Sequence, residues 1–351
     1  MLPCRCSSMY SIEGWCKGQT KMAVSRFSIC RLTYSSSSCL SSIFTPYLSS
    51  FRTSSVPKMR CFAVSSSSLP TEKSTTCDDF TTPNSTTTIA TIPRWKPMCL
   101  YFTQSLCTKM DDLAHLNAFN HSFSGDLKVN ASHMNHVRPQ QFDHFLVLDL
   151  EGKVEILEFP VLMIDAKTLE VVDFFHRFVR PSEMSEQRID QYIEGKYGKI
   201  GVQSVWHDTA IPFKEVIHQF EGWMEKHQLW ARDIGGHLNK AAFITCGNWD
   251  IKTKIPEQCK VSRMKIPSYF MEWINLKDIY LNFYKRRASG MMTMMRELHM
   301  PLVGSHHLGI DDTKNITRVL QRMINDGAVL QITAQRSLSA SVQFLFENRI
   351  R

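Results

Sequence analysis

The sequence predicts an α/β fold from about residue 142 onward, built on a mixed sheet of three antiparallel strands plus parallel strands, with helices flanking it. Short apolar or alternating runs, which are typical of strands, come first in this region, and runs with helical spacing follow. A strand, a helix and another strand then come in succession, which implies a right-handed crossover between parallel strands. The residues before this region show neither pattern.

The N-terminal segment has the composition of an organellar targeting peptide. Residues 1–70 contain 19 serines and eight Lys or Arg residues against one acidic residue, Glu13. Such a segment buries too little apolar surface to offset its ordering entropy, so we expect it to be disordered. We predict a chloroplast transit peptide over residues 1–65. The alternatives are a generic low-complexity tail and a location in the cytoplasm or nucleus.

The net charge of +8 arises almost entirely from this segment, which contributes +7 and leaves +1 for the remaining residues. Any nucleic-acid binding by the folded part must therefore come from a local patch. No apolar run approaches the roughly 18–20 residues of a membrane span, so no membrane association is expected. Nothing in the sequence indicates an obligate oligomer.

Residues 66–140 are predicted to be a linker that is partly ordered at most. Nine of the eleven cysteines lie before residue 110, but no paired Cys-x-x-Cys units occur. Neither a zinc knuckle nor a disulfide framework is therefore expected, and a reducing compartment fits this cysteine usage. The histidines at 121, 133 and 136 also match no zinc-binding spacing.

The apolar run that begins at Phe145 ends in two carboxylates, Asp149 and Glu151. In a strand, side chains two residues apart share a face, so both acids point the same way from the end of a buried strand. Two such carboxylates repel each other unless a cation lies between them, and Mg²⁺ and Mn²⁺ prefer oxygen ligands. We interpret the pair as half of a metal site. The alternative is an ordinary acidic strand end.

Two further strands are predicted beside this one, at 158–165 and 171–179. They are joined by a hairpin turn at 165–168, and Pro181 ends the second of them. An amphipathic helix begins near Pro212. Its apolar residues recur at helical spacing: Phe213, Val216, Ile217, Phe220 and Trp223.

A short strand at 241–245 follows that helix and is predicted to lie parallel to the first strand. It leads directly into Asp250. Because parallel strands deliver their carboxyl ends to one edge of a sheet, Asp250 is expected beside Asp149 and Glu151.

The last predicted helix spans 311–326, with Asp311 as its N-cap and Gly327 as its stop. Its buried stripe consists of Ile316, Val319, Leu320 and Met323. Asp312 lies on the same stripe, where an acid is costly unless a cation meets it. His307 precedes Asp312 by five residues in a loop with Gly304 and Gly309. A loop histidine is usually solvated, but its spacing to Asp312 favours a functional role, and the adjacent His306 lacks that spacing.

Several stretches in order resemble the DEDDh 3′→5′ exonucleases, and among them the enhanced-RNAi or histone-mRNA 3′-exonuclease type of exoribonuclease. The matching stretches are Val147-Leu-Asp-Leu-Glu151, Glu155-Ile-Leu-Glu-Phe-Pro160, Thr245-Cys-Gly-Asn-Trp-Asp250, Gln258-Cys-Lys260 with Trp273-Ile-Asn-Leu276, and His307-Leu-Gly-Ile-Asp-Asp-Thr-Lys-Asn315. The resemblance implies a ribonuclease H-like domain over 141–333, with residues 334–351 as a C-terminal tail. No stretch before residue 142 resembles a SAP module, so recognition of an RNA stem-loop through such a module is not expected.

The resemblance also implies roles for individual residues. Two divalent cations, Mg²⁺ or alternatively Mn²⁺, would be held by four acids, namely Asp149, Glu151, Asp250 and Asp312. His307 would act as the general base, with Glu151 also in the catalytic set. The backbone of Gly152 would contact the terminal nucleotide. Substrate contacts are further expected from Glu151, His307 and Trp249, while Lys252 and Lys254 are more readily explained as solvated or structural residues.

Three functions remain open at this point. The first is an exoribonuclease that acts on RNA with a free 3′ end, such as ribosomal RNA or another structured small RNA, alone or in a ribonucleoprotein. The second is a DNA 3′→5′ exonuclease, because no residue pattern reveals recognition of the 2′-hydroxyl group. The third is a catalytically silent RNA-binding module, which the complete set of acids argues against.

The targeting prediction can be tested directly. A fluorescent reporter fused to residues 1–65 is expected to enter plastids, because the segment is rich in serine and poor in acid. Microscopy that places the reporter only in the nucleus or in the secretory pathway would contradict the prediction.

Overall fold

The computed structural model describes residues 96–123, 125, 127–128, 136–337 and 341–349. The predicted transit peptide and His133 lie outside these residues. The described strands are β1 (His144–Leu148), β2 (Glu158–Asp165), β3 (Val171–Arg180), β4 (Ile211–Pro212), β5 (Ala241–Thr245), β6 (Glu272–Asn275), β7 (Ala334–Arg336) and β8 (Val342–Phe344).

The helices of the same residues surround this sheet. They are α1 (Leu100–Thr103), α2 (Leu113–Ala118), α3 (Glu186–Tyr197), α4 (Gln203–Thr209), α5 (Phe213–Lys226), α6 (Ile255–Val261), α7 (Leu276–Tyr284), α8 (Met291–Glu297) and α9 (Gly309–Asn325). A π-helical segment, Trp249–Lys254, precedes α6. Within the described part of the chain, no helix is both long enough and apolar enough to span a bilayer.

The strands form one mixed sheet in the order β4-β3-β2-β1-β5-β6-β7-β8. Strands β1, β2 and β3 pair antiparallel, with Asp165 closing the β2–β3 hairpin by accepting from the amides of Lys167 and Thr168. Strand β5 pairs parallel with β1, and β6 pairs parallel with β5. The predicted α/β fold with three antiparallel strands and further parallel strands is therefore confirmed.

Alternate residues of β1 belong to two separate cores, one on each side of the sheet. Phe145 and Val147 pack in the core that contains α9, whereas Leu146 and Leu148 pack in the core that contains α5. All four side chains are fully buried. The period-two pattern of the sequence thus produces a three-layer arrangement, in which the positions after β1 continue to alternate between the layers.

The predicted C-terminal tail contributes to the sheet instead of extending beyond it. Strand β7 pairs antiparallel with β6, and β8 pairs antiparallel with β7. Ala334 is fully buried in the core on the α5 side. Each strand is only three residues long, too short to show a clear alternation, and the exposed edge of β6 supplies the hydrogen-bonding partner.

Part of the predicted linker packs on the domain as an ordered segment. Met98, Phe123 and Leu127 are buried in the same core as Phe145, and Phe123 lies 4.6 Å from the ring of Phe174 on β3. Helices α1 and α2 have four and six residues. Because such short helices carry little periodicity, tertiary contacts decide their order and local pattern does not.

Candidate active site

Three carboxylates meet where β1 ends. Asp149 and Glu151 leave β1 on the side of the sheet that holds α9, and Asp312 comes from the first turn of α9. Oxygen atoms of these three residues lie within 4.8 Å of one another. The structure therefore brings together the strand acids and the helix acid, although they are more than 160 residues apart in sequence.

Asp250 joins this group from the end of β5. It lies in the first turn of the π-helical segment, is 5% exposed, and accepts a hydrogen bond from the Leu150 amide at 2.9 Å. The parallel pairing of β5 with β1 delivers it to the same edge of the sheet. All four acids that were predicted from the sequence as metal ligands thus lie at one end of β1.

The pKa values of these buried acids indicate which ligands the site favours. Burial raises the pKa of Asp149 well above its ordinary value, and the nearby charges of Asp250 and Asp312 raise it further. Burial likewise raises the pKa of Glu151 to about 7 and that of Asp250 to about 6. A set of oxygen donors that repel one another in a buried site fits hard divalent cations, which would restore the charged form of each acid.

Lys196, in the last turn of α3, is a member of the site that sequence reasoning missed. Its ammonium group forms an ion pair with Glu151 Oε2, and this pair lowers the pKa of Glu151 against the larger effect of burial. Both side chains are mostly buried, at 17% and 14% exposure. No local pattern marks this lysine, because only the packing of α3 against the loop after Glu151 brings it to the acids.

Glu158 is a fifth buried carboxylate, and it positions helix α9. Its oxygens accept from the Gly309 and Ile310 amides at 2.9 and 2.8 Å and from the Tyr197 hydroxyl at 3.0 Å. His176 Nε2 lies 3.0 Å from Glu158 Oε1. Burial raises the pKa of Glu158, but these contacts outweigh burial and leave the pKa below its ordinary value.

The N-cap predicted for the last helix is therefore wrong. Helix α9 begins at Gly309 and has no side-chain cap of its own, because Glu158 from β2 binds its first two amides. A buried carboxylate at a helix N-terminus is also favoured by the helix dipole. Asp311 instead accepts from the Ser305 amide at 2.8 Å, which orders the preceding loop. The helix ends before Gly327, whose φ of 97° is in the left-handed region, so the predicted stop is confirmed.

The glycines around the histidine loop are required by close packing. At Gly304, with a φ of 83°, a Cβ atom would lie 2.3 Å from the Asp311 carboxylate. At Gly309 it would lie 3.1 Å from the Asp149 carbonyl oxygen and 3.1 Å from Glu151 Cγ. The absence of side chains at these two positions allows the start of α9 to approach the end of β1.

The two histidines of this loop contact Asp312 in different ways. The His307 backbone amide donates to Asp312 Oδ2 at 2.7 Å, whereas His306 Nδ1 lies 3.0 Å from Asp312 Oδ1. The two rings stack with centroids 3.9 Å apart. Burial lowers the pKa of His307, and the positive charges of His306 and Lys196 lower it further. His306, which lacks the five-residue spacing to Asp312 and was therefore not predicted as a site residue, is thus also part of the site.

Gly152 follows Glu151 in a conformation that only glycine adopts easily. Its φ is 123°, and a Cβ atom would lie 2.1 Å from the Glu155 carbonyl oxygen and 2.8 Å from the Leu157 amide nitrogen. The sharp turn permits the Leu157 amide to donate to the Glu151 carbonyl at 2.7 Å. A residue with a side chain at this position would displace the turn that orients Glu151.

Trp249 begins the π-helical segment next to Asp250 and is 44% exposed. An exposed aromatic ring beside the acids is suited to stacking on a base. Lys254, by contrast, is 1% exposed and donates to the carbonyl oxygens of Lys153 and Val154. The lysine therefore holds the loop after Glu151 and has a structural role.

Comparison with known proteins gives consistent matches over this region. A family model described as Exonuclease matches residues 144–320. An exonuclease domain-containing protein of Arabidopsis thaliana is 65% identical over 260 residues, which cover 74% of this chain and 77% of the plant protein. The 3′-5′ exoribonuclease 1 of Rattus norvegicus is 34% identical over 203 residues, which cover 54% of this chain and 56% of the rat protein.

Solved structures agree with these matches. A 3′-exonuclease whose structure concerns 3′-end recognition of the histone mRNA stem-loop has a TM-score of 0.50 and 28% identity, covering 60% of this chain and 93% of its own. A full-length 3′-exonuclease gives the same TM-score and identity over 61% of this chain and 70% of its own. Since the family model spans half of the chain and the plant relative matches most of both lengths, the chain belongs to the exonuclease family, and its fold is similar to that of the two 3′-exonucleases.

Proposed function

We propose that the protein removes nucleotides from the 3′ end of RNA by hydrolysing phosphodiester bonds with two divalent cations. The observation that carries the proposal is the convergence of Asp149, Glu151 and Asp312 within 4.8 Å, with Asp250 beside them. The choice of RNA is supported by the name of the rat relative, a 3′-5′ exoribonuclease. Mg²⁺ is the proposed cation, with Mn²⁺ as the alternative.

Each residue of the site has a distinct task in this proposal. The four acids would hold the cations that DEDDh exonucleases use, which when bound neutralise charge at the phosphate and acidify the attacking water. His307 accepts the proton of that water, and its lowered pKa keeps it neutral and ready at neutral pH. The Gly152 backbone and the exposed ring of Trp249 position the terminal nucleotide.

We further propose ribosomal RNA or another structured small RNA as the substrate, with the plastid as the place of action. The composition of residues 1–65 supports the plastid. The substrate and the location are independent of the chemistry. A failure of the reporter experiment would leave the catalytic proposal intact.

Loss of a carboxylate is expected to abolish hydrolysis. Asp149→Asn keeps the shape of the side chain but removes a charge that the cations require. The rate of hydrolysis is therefore expected to fall by well over roughly 100-fold, which is the upper loss typical when a residue that only supports a metal ligand is changed. Thermal stability is expected to be unchanged or higher, because a repelled buried charge disappears. The measurement uses end-labelled RNA and DNA oligonucleotides with Mg²⁺ or Mn²⁺, with and without a chelator.

Asp143→Asn is the matched control, since Asp143 lies beside the opposite end of β1 and its carboxylate forms ion pairs at 3.8 Å with two exposed lysines, Lys167 and Lys240. It is expected to retain the wild-type rate. Undiminished turnover by Asp149→Asn would rule out the site. Faster digestion of DNA than of RNA would reject the choice of substrate, and binding of RNA without any digestion would identify a silent module.

Replacement of His307 and replacement of His306 are expected to change the rate of hydrolysis in different ways. His307→Ala removes the proton acceptor, so the rate is expected to fall by about 10²–10⁴ while affinity for the RNA 3′ end is retained. The wild-type rate is expected to rise with pH through the lowered pKa of His307, below its ordinary 6.5, and the mutant is expected to lack this rise.

His306→Ala is the comparison variant for this experiment. It removes a contact to Asp312 but not the base, so we expect a loss of roughly 10–100-fold with the rise in rate preserved. If the rise vanished in His306→Ala and persisted in His307→Ala, the base would be His306.

The cation-free protein is expected to become more stable as pH falls. The folded-state pKa values of Glu151 and Asp250, about 7 and about 6, lie above the ordinary 4.5 and 3.8, so the folded chain binds protons more tightly than the unfolded chain. This contribution to the free energy of unfolding is complete below the ordinary values and is lost as pH rises through about 6 to 7.

Melting temperatures measured in chelator test this expectation across that pH range. Glu151→Gln is expected to flatten the profile, because it removes the titrating group with the higher pKa. Mg²⁺ is expected to raise the melting temperature most at the neutral end, where the acids carry their charge. A melting temperature that is independent of pH in wild-type protein would show that burial does not raise the pKa values of Glu151 and Asp250.

A further inference from the structure

Two cysteines and two histidines that the exonuclease chemistry does not use converge in the segment before β1. Cys99 precedes α1, Cys107 lies in the loop after it, His115 is in α2, and His121 follows α2. Their ligand atoms all lie within 4.8 Å of one another. We propose that Cys99, Cys107, His115 and His121 form a structural zinc site.

The distances among three of these atoms are close to those of a tetrahedral coordination shell. Cys107 Sγ lies 3.4 Å from His115 Nε2 and 3.6 Å from His121 Nε2, and the two Nε2 atoms are 3.1 Å apart. With Zn–S near 2.3 Å and Zn–N near 2.0–2.1 Å, the ligands of a tetrahedron are separated by about 3.3–3.8 Å. The donor set of two thiolates and two imidazoles is also the one that selects zinc.

The backbone holds the four residues together before any metal is considered. The Cys99 amide donates to the Asn120 carbonyl at 2.9 Å, and the Asn120 amide donates to the Pro97 carbonyl at 2.8 Å. This short bridge places Cys99 beside His121. Asp112 caps α2 by accepting from the Ala114 and His115 amides, which fixes the start of the helix that carries His115.

A disulfide or a simple hydrogen-bonded cluster explains the arrangement less well. A Cys99–Cys107 disulfide gives no reason for two imidazole nitrogens to face the same sulfur atom. His121 directs its polar contacts through Nε2 alone, because its Nδ1 is buried with no hydrogen-bond partner among the described residues. Zinc satisfies all four donor atoms at once and releases the two thiol protons to solvent on binding.

Zinc would add to the tertiary contacts that order the segment. Helices of four and six residues are not stable by themselves in water, and small units of this size are usually held by a metal or by disulfides. The four cysteines of the described residues, including Cys99 and Cys107, are free thiols. Zinc would join the two ends of the segment across α1, the loop and α2.

Side chains connect the proposed zinc site to helix α9, which carries Asp312. Gln104, next to α1, donates to His176 Nδ1 at 3.0 Å, and Thr103 Oγ1 lies 2.7 Å from the same atom. The other nitrogen of His176 contacts Glu158, which binds the first amides of α9. Loss of zinc is therefore expected to loosen α9 as well as the segment itself.

The test measures metal bound to the full-length protein. Wild-type protein purified without added metal is expected to retain about one zinc per chain by mass spectrometry, and Cys107→Ser is expected to lose it. Asp149→Asn and Cys259→Ser are the matched controls and are expected to keep it, which separates this site from the catalytic acids and from cysteines in general. Co²⁺ in place of zinc is expected to show the visible absorption of a tetrahedral thiolate complex.

A second pair of variants covers the case in which Cys107→Ser does not fold. His115→Cys preserves four zinc-binding groups and is expected to keep the metal, whereas His115→Ala is expected to lose it. Removal of zinc from wild-type protein by a strong chelator is expected to lower the melting temperature, with recovery on adding Zn²⁺ but not Mg²⁺. Wild-type protein without zinc, equal zinc in Cys107→Ser, or a Cys99–Cys107 disulfide in freshly isolated protein would overturn the proposal.

Discussion

The buried carboxylate of Glu158 is the interaction on which the geometry of the active site depends. It joins β2 to the first two amides of α9, to Tyr197 of α3 and to His176 of β3. Hydrogen bonds to a charged group contribute about 1.5–3 kcal/mol each, but burying the charge offsets much of this gain. The main effect of Glu158 is thus to fix one position of α9, and with it the position of Asp312.

The acids that α9 and β1 bring together oppose the stability of the fold that holds them. Asp149, Glu151 and Asp250 all have raised pKa values because burial disfavours their charged forms, and repulsion by neighbouring carboxylates adds to this effect at Asp149 and Glu151. The ion pair with Lys196 offsets only part of the effect at Glu151. The surrounding elements must therefore impose the arrangement, and the unfavourable charge is concentrated where divalent cations would relieve it.

The segment before β1 extends this support beyond the family domain. Its hydrogen bonds reach helix α9 through His176 of β3 and Glu158 of β2. Polar groups thus link this segment, the sheet and α9 inside a largely apolar core. Such networks stabilise when every member is satisfied and weaken when one is lost. A link that orders α1 and α2 would thus act on the site at a distance, without contacting substrate.

The sequence by itself predicted three antiparallel strands including β1, the shared face of Asp149 and Glu151, the parallel strand that leads to Asp250, and the buried stripe of α9. The shared face and the buried stripe follow from local periods of two and 3.6 residues, and the parallel strand follows from the succession of strand, helix and strand. The edge strands β7 and β8 escaped this reasoning because three residues are too few to establish a period.

Only the tertiary structure decided which partners those faces meet. Lys196 at Glu151, Glu158 at the start of α9, and His306 at Asp312 are contacts between distant elements or around a sharp loop, and no spacing in the chain marks them. Cys99 and Cys107 are separated by a longer interval than the paired cysteines of common zinc motifs, so their convergence with His115 and His121 depends on the bridge at Asn120. Local periodicity fixes the direction of a side chain, whereas the packing of whole elements fixes what it touches.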